Sequence, residues 1–104
     1  MKYVFLATST LMLGLTISNA ALADTALATS KNCMACHAIE KKVVGPSYKE
    51  VAEKYAGRPD AIAKLSAKIV KGGGGVWGPV PMPANGQVSA EEATKLATWV
   101  MTLK

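Results

Sequence analysis

The chain has 104 residues, half of them apolar, with 12 Lys and Arg against 7 Asp and Glu for a formal charge of +5. That length allows one domain around one small core. The absence of any lysine run interleaved with aromatics, which make up only 6% of the chain, argues against a nucleic-acid partner.

Lys2 supplies a short positive start, and an apolar run that tolerates threonine follows from Val4 to Ile17. Ala21-Leu22-Ala23 then offers a small-x-small cleavage site before Asp24, the pattern of a secretory leader, with Ser18 to Ala20 as a second candidate cut. A membrane anchor would need about 20 consecutive apolar residues. This run is shorter and is broken by Thr8, Ser9, Thr10 and Thr16. Residues 1–23 are therefore expected to be a cleaved leader, with the mature domain at 24–104 exported to the periplasm and not inserted in a membrane. Only Lys2 leaves with the leader, so the mature domain keeps 11 basic and 7 acidic side chains. Lys31, Lys41, Lys42, Lys49 and Lys54 suit electrostatic steering onto an acidic partner. A domain this small commonly needs a staple, whether disulfide, metal or cofactor.

A first helix is expected from about Asp24, with Leu27 as its clearest apolar contact, running into Cys33-Met34-Ala35-Cys36-His37. Those five residues hold both cysteines and the only histidine. The C-x-x-C-H spacing is the attachment pattern of a c-type haem. Each thiol adds to one vinyl group of the porphyrin, positions i and i+3 sharing a helix face, and the imidazole of His37 follows where it reaches the iron. Three other uses of the cysteines compete with this one. A thioredoxin-like redox pair would not need the histidine and belongs in a βαβ setting. Zinc usually takes four ligands in a closed site, and only three Cys and His groups exist. A disulfide between neighbours so close in sequence closes too short a loop to constrain the unfolded chain much.

Val43-Val44-Gly45-Pro46 reads as an extended loop, because Pro46 biases Gly45 away from helix. Ser47 and Glu50 form a capping box that opens a second helix, and Gly57 closes it near Tyr55-Ala56. Pro59-Asp60 starts a third, in which Ile62, Leu65 and Ile69 recur at helical spacing before Gly72 ends it. After a long loop, Ser89 and Glu92 make a second capping box. Behind it Leu96, Trp99, Val100 and Leu103 form one apolar stripe. With no useful β-alternation and no internal repeat, the domain is expected to be all-α, with about four short helices.

The loop from Gly72 to Gly86 is too rich in glycine and proline for helix or central strand, and a loop of that length in so small a domain is usually functional. At its centre stands Met82 between Pro81 and Pro83, which fix φ on either side and lower the entropy lost in presenting the thioether. Methionine is a soft ligand for haem iron, and Met/His ligation raises the reduction potential. Most methionines only pack. Met82 is nevertheless the expected sixth ligand, because Met34 is locked inside the attachment motif, Met101 sits beside the apolar stripe, and Met1 and Met12 leave with the leader. Lysine side chains are the weaker substitutes.

Four blocks carry a resemblance to a known family: Cys-Met-Ala-Cys-His-Ala-Ile at 33–39, Val-Gly-Pro-Ser-Tyr-Lys at 44–49, Gly-Val-Trp-Gly-Pro-Val-Pro-Met-Pro at 75–83 and Leu-Ala-Thr-Trp-Val-Met at 96–101. Over nearly the whole mature region the chain resembles the small bacterial class I cytochromes c of the cytochrome c-551 (cytochrome c8) group. The second and third blocks are specific to that group, whereas C-x-x-C-H alone marks any c-type cytochrome. The resemblance implies a class I cytochrome c fold wrapped around one covalent haem c, thioether bonds at Cys33 and Cys36, and His37 and Met82 as axial ligands. It also implies that the Pro46 carbonyl accepts the second imidazole N–H of His37, that Trp77 donates to a haem propionate, and that Asn85 lies near the Met82 sulfur.

There are departures from the group's pattern. Lys68 stands where some relatives have an arginine that holds a propionate, and a lysine offers charge without a planar fork. Ala84 replaces a proline, Gly86-Gln87 looks like a one-residue extension, and Ala28 is smaller than the aromatic of some relatives, leaving space for Met34.

An iron with both axial positions filled by protein has no place for substrate, so the expected function is that of a monomeric one-electron carrier rather than an enzyme, the protein setting potential and partner choice. The resemblance implies a membrane quinol-oxidising complex as donor, and a haem nitrite reductase or terminal oxidase as acceptor. Two other classes stay open on the sequence. One is an enzyme or gas sensor in which Met82 is labile, and a near-infrared methionine–iron band would distinguish it. The other is a haem-free binding module, which would be colourless.

Overall fold

The computed structural model describes residue 14 and residues 20–104, with side chains described from residue 24 of the first helix onward. The expected leader lies outside these residues apart from Gly14 and the first turn of that helix. Four α-helices follow in order: α1 Ala20–Ser30, α2 Tyr48–Lys54, α3 Ala61–Lys71 and α4 Ala90–Val100. A 3₁₀ turn at Cys33–Ala35 lies between α1 and α2. Among the described residues there are two isolated β-bridges and no strand, so the all-α expectation holds.

The first helix does not run into the cysteine motif. It stops at Ser30, and Asn32 takes up the left-handed conformation at φ 63°. Asparagine visits that region more readily than most side chains, and the break turns the motif into a separate 3₁₀ turn. Leu27 is only partly buried, whereas Ala28 is fully enclosed. Met34 is partly buried and packs against the core.

Both capping boxes form completely. Ser47 Oγ accepts from the Glu50 N–H at 3.1 Å while Glu50 Oε2 accepts from the Ser47 N–H at 3.1 Å. Ser89 and Glu92 repeat the pattern at 3.1 and 3.0 Å. α3 lacks such a cap. Asp60 instead pairs with Lys64 at 3.3 Å and with Arg58 at 3.6 Å.

The core gathers on α4, which packs against α1, α2 and α3. Leu96, Trp99 and Val100 are buried along its stripe, joined by Tyr48 and Val51 from α2, by Tyr55 at its C-terminal end and by Leu65 and Ile69 from α3. Ala28, Ala93 and Ala97 are completely buried, and side chains this small let α1 and α4 approach closely. Each large apolar side chain so buried contributes about 1.5–3 kcal/mol.

Candidate functional site

The cysteine–histidine segment is closed by short-range bonds. The Cys33 carbonyl accepts from the His37 N–H at 3.0 Å and from the Cys36 N–H at 3.2 Å. The Cys36 carbonyl accepts from Gly45 at 2.7 Å and Val44 at 3.2 Å, which folds the Val43–Pro46 loop back over the motif. His37 Nδ1 then lies 2.7 Å from the Pro46 carbonyl oxygen. A carbonyl only accepts, so Nδ1 carries a proton, which in the neutral ring makes Nε2 the nitrogen with the lone pair.

The ring of His37 stacks on Tyr48, with centroids 5.1 Å apart and planes inclined by 22°. Tyr48 meets Trp99 edge-on at 5.2 Å. Burial holds the Tyr48 phenol far above its ordinary pKa, so it stays protonated. Burial also pushes the Cys33 thiol up, against the pull of its own backbone bond. Cys33 and Cys36 are free thiols, each half-buried. A Cβ at Gly45 would stand 2.5 Å from His37 Cε1, so only glycine fits beside the ring.

The Met82 loop is built on α3. Gly72 ends that helix at φ 69°, and Gly73 and Met82 exchange two backbone bonds, at 3.0 and 2.7 Å. A Cβ at Gly72 would meet the Met82 carbonyl oxygen at 2.5 Å, so the loop approaches the helix end backbone to backbone. Asn85 secures the exit of the loop: its backbone N–H donates to Val70 at 3.2 Å, and its side-chain amide donates to Ile69 at 2.8 Å and Pro83 at 3.4 Å.

These parts enclose one cavity of about 400 Å³. Cys33, Cys36, His37, Pro46, Lys68, Trp77, Met82 and Asn85 all line it, so all eight residues singled out from the sequence meet at one place. Val51, Leu65, Ile69 and Leu96 supply apolar walls, and Val76, Trp77 and Val80 are exposed at the mouth. Lys68 makes no ion pair among the described residues, and Trp77 has the Lys54 ammonium 5.1 Å above its ring. No three His, Cys, Asp or Glu side chains converge among the described residues, as a zinc site would require.

Sequence reasoning passed over the tyrosine stacked on His37 with a tryptophan edge-on behind it, the steric demand on Gly45 and the contact of Lys54 with Trp77. Only the Gly-Pro pair before Tyr48 could have signalled the first two. Of the five lysines near the motif, Lys31 pairs with Glu92 and Lys49 with Glu40, leaving Lys41, Lys42 and Lys54 exposed without an ion pair among the described residues, Lys54 lying over Trp77.

The donor set fits a covalently held haem: two thiols, an imidazole with a free Nε2, a thioether, apolar walls and an unpaired ammonium at the rim. Comparison with known proteins agrees. The profile of the cytochrome c family matches residues 23–104. Cytochrome c-552 of Nitrosomonas europaea is 50% identical over 90 residues, covering 86% of this chain and 87% of the relative. Cytochrome c-551 of Pseudomonas aeruginosa is 55% identical over 75 residues, covering 72% of this chain and 71% of the relative. The crystal structure of the Nitrosomonas europaea cytochrome c552 superposes with a TM-score of 0.76 at 51% identity, over 77% of this chain and 99% of that one. The class 1 cytochrome MtoD from Sideroxydans lithotrophicus gives 0.64 at 36% identity, over 78% and 92%. Cytochromes c carry covalently attached haem c, and their small members are electron carriers. By profile, by relatives about half identical over most of their length, and by fold, this chain belongs to the cytochrome c family.

Proposed function

We propose that this protein is a periplasmic one-electron carrier, exported by a leader at residues 1–23, whose haem c is bonded through Cys33 and Cys36 and ligated by His37 and Met82. The observation that supports this most directly is the 2.7 Å contact between His37 Nδ1 and the Pro46 carbonyl. That bond orients the ring, keeps Nε2 as the ligating nitrogen and makes it a better donor.

When bound, the haem supplies an iron that exchanges one electron, at a potential raised by methionine and histidine ligation. The chain's own residues hold and shield it. Gly45 gives the imidazole room, and Tyr48 backs it. Gly72 and Gly73 seat the loop that presents the Met82 thioether, and Asn85 pins that loop. Trp77 and Lys68 at the mouth serve the propionates, Lys68 as a point charge. The apolar walls exclude water. With His37 and Met82 both holding the iron, no coordination position would be left for a substrate, so the reading is a carrier and not an enzyme.

The proposed donor is a membrane quinol-oxidising complex, and the acceptor is a haem nitrite reductase or a terminal oxidase. The exposed Lys41 and Lys42 supply the steering charge towards such partners. The carrier works as a monomer, free of the membrane once the leader is gone. Among the described residues no helix is long and apolar enough to cross a membrane.

The test is Met82→Ala. It should keep covalent haem, lower the reduction potential and admit cyanide or CO. Wild-type potential with both ligands excluded would overturn the assignment of Met82.

A further inference from the structure

Lys31 and Gln87 lie 56 positions apart, and each reaches the other's main chain. Lys31 Nζ donates to the Gln87 carbonyl at 3.0 Å. Gln87 Nε2 donates to the Lys31 carbonyl at 3.2 Å. The same amide nitrogen lies 3.3 Å from Asn85 Oδ1, and Asn85 in turn bonds to Ile69 near the end of α3. Lys31 stands two residues before Cys33, and Asn85 three after Met82. A continuous polar chain thus runs from the cysteine segment through the exit of the Met82 loop to the third helix. No other hydrogen bond among the described residues joins residues 31–37 to residues 72–88. Glu92 holds the Lys31 ammonium from the other side at 3.3 Å, with the two side chains only 24% and 31% exposed.

We propose that Gln87 and Lys31 form a clasp that positions the Met82 loop and sets how often the thioether leaves the iron. The proposal rests on Met82 being a ligand. Its physical basis is that the loop has two anchorages. One is the Gly73–Met82 pair at its base, and the other is the Asn85–Gln87 exit, which the clasp ties to the segment carrying the cysteines. Each side chain bonds to the partner's backbone, so either bond can be removed while the other is kept.

The test is cyanide binding to the ferric holoprotein, in a regime where loss of the methionine limits the rate. Gln87→Met keeps side-chain length but removes the amide with its bonds to the Lys31 carbonyl and Asn85 Oδ1, and should speed binding at least about fivefold, the weight of the one net hydrogen bond lost across the clasp. Lys31→Met should act similarly, and the double variant should reach about 25-fold. Glu92→Gln keeps the capping box and the Lys31–Gln87 bonds, and should leave the rate unchanged. Hydrogen exchange gives a readout independent of ligand binding. The Asn85 and Val88 amides should exchange faster in Gln87→Met, while Gly45 and Tyr48 on the histidine side stay as in wild type. The clasp is refuted if Gln87→Met binds cyanide at the wild-type rate although Met82→Ala opens the site, or if Glu92→Gln is as fast as Gln87→Met. If Met82→Ala itself fails to open the site, the ligand assignment falls, and the clasp with it.

Discussion

The two sides of the cavity are held in different ways. On the histidine side, backbone bonds spanning no more than ten positions close the segment from Cys33 to Tyr48, and the ring is fixed by Pro46, Gly45 and Tyr48 together. On the methionine side, the residues from Gly73 to Pro81 are exposed, and the loop is held at its base by Gly73 and at its exit by Asn85 and Gln87. Local bonds form as soon as the turn forms. The exit bonds require α1, α3 and the loop all to be in place. Opening the methionine side therefore breaks few interactions and leaves α4 and its core intact, so this side should yield first under any stress. Segments with few buried contacts and exposed backbone open at low free energy.

The largest expected effect tests the rigid side. His37→Ala removes the only histidine, and should prevent accumulation of a normal low-spin holoprotein, as mass spectrometry and absorption spectra of the exported variant would report. A stable low-spin spectrum at unchanged potential would remove His37 from the iron and erase the contrast between the two sides.

Gly72→Ala strikes the base of the methionine side. The glycine sits at φ 69°, ψ −166°, a region essentially reserved for glycine, and its Cβ would meet the Met82 carbonyl at 2.5 Å. Strain of this kind costs about 1–3 kcal/mol. The near-infrared methionine band should vanish at lower denaturant concentration than far-ultraviolet ellipticity does. Coincident transitions would mean that the loop and helices unfold as one unit.

A smaller effect is expected in acid. The Glu92 carboxyl is held below its ordinary 4.5, first by the Ser89 backbone N–H and then by Lys31. Because the folded value is the lower one, its stabilisation is complete above pH 4.5 and is lost as pH falls through the folded value, where the unfolded chain binds the extra proton. Thermal midpoints measured across this range should drop less for Glu92→Gln than for wild type. Parallel curves would show that the carboxylate contributes nothing there.

Much of this could be read along the chain because the signals were local. Ser47/Glu50 and Ser89/Glu92 mark the starts of α2 and α4, since a capping box is satisfied within four residues. Gly57 and Gly72 mark helix ends, and both have positive φ. The C-x-x-C-H motif and the proline-flanked methionine stood out for the same reason. The first helix was misjudged because no residue before Cys33 announces the left-handed turn at Asn32; asparagine tolerates that turn without requiring it. Gln87 read only as an extra residue in a loop, and Lys31 only as one of several charges.

What the sequence by itself determined is therefore the set of parts: the helices, the loop between the third and fourth, and the chemical groups they carry. These depend on hydrogen bonds and side-chain periodicity within a turn or two, which fold at low entropic cost. Tertiary structure alone decided that all eight site residues share one cavity, that Gly45 faces the imidazole, that Lys54 covers Trp77, and that Lys31 meets Gln87. Apart from the approach of Gly45 to His37, which spans only eight positions, these placements close longer stretches of chain, and the geometry that rewards them exists only once α4 has gathered the other three helices around its apolar stripe.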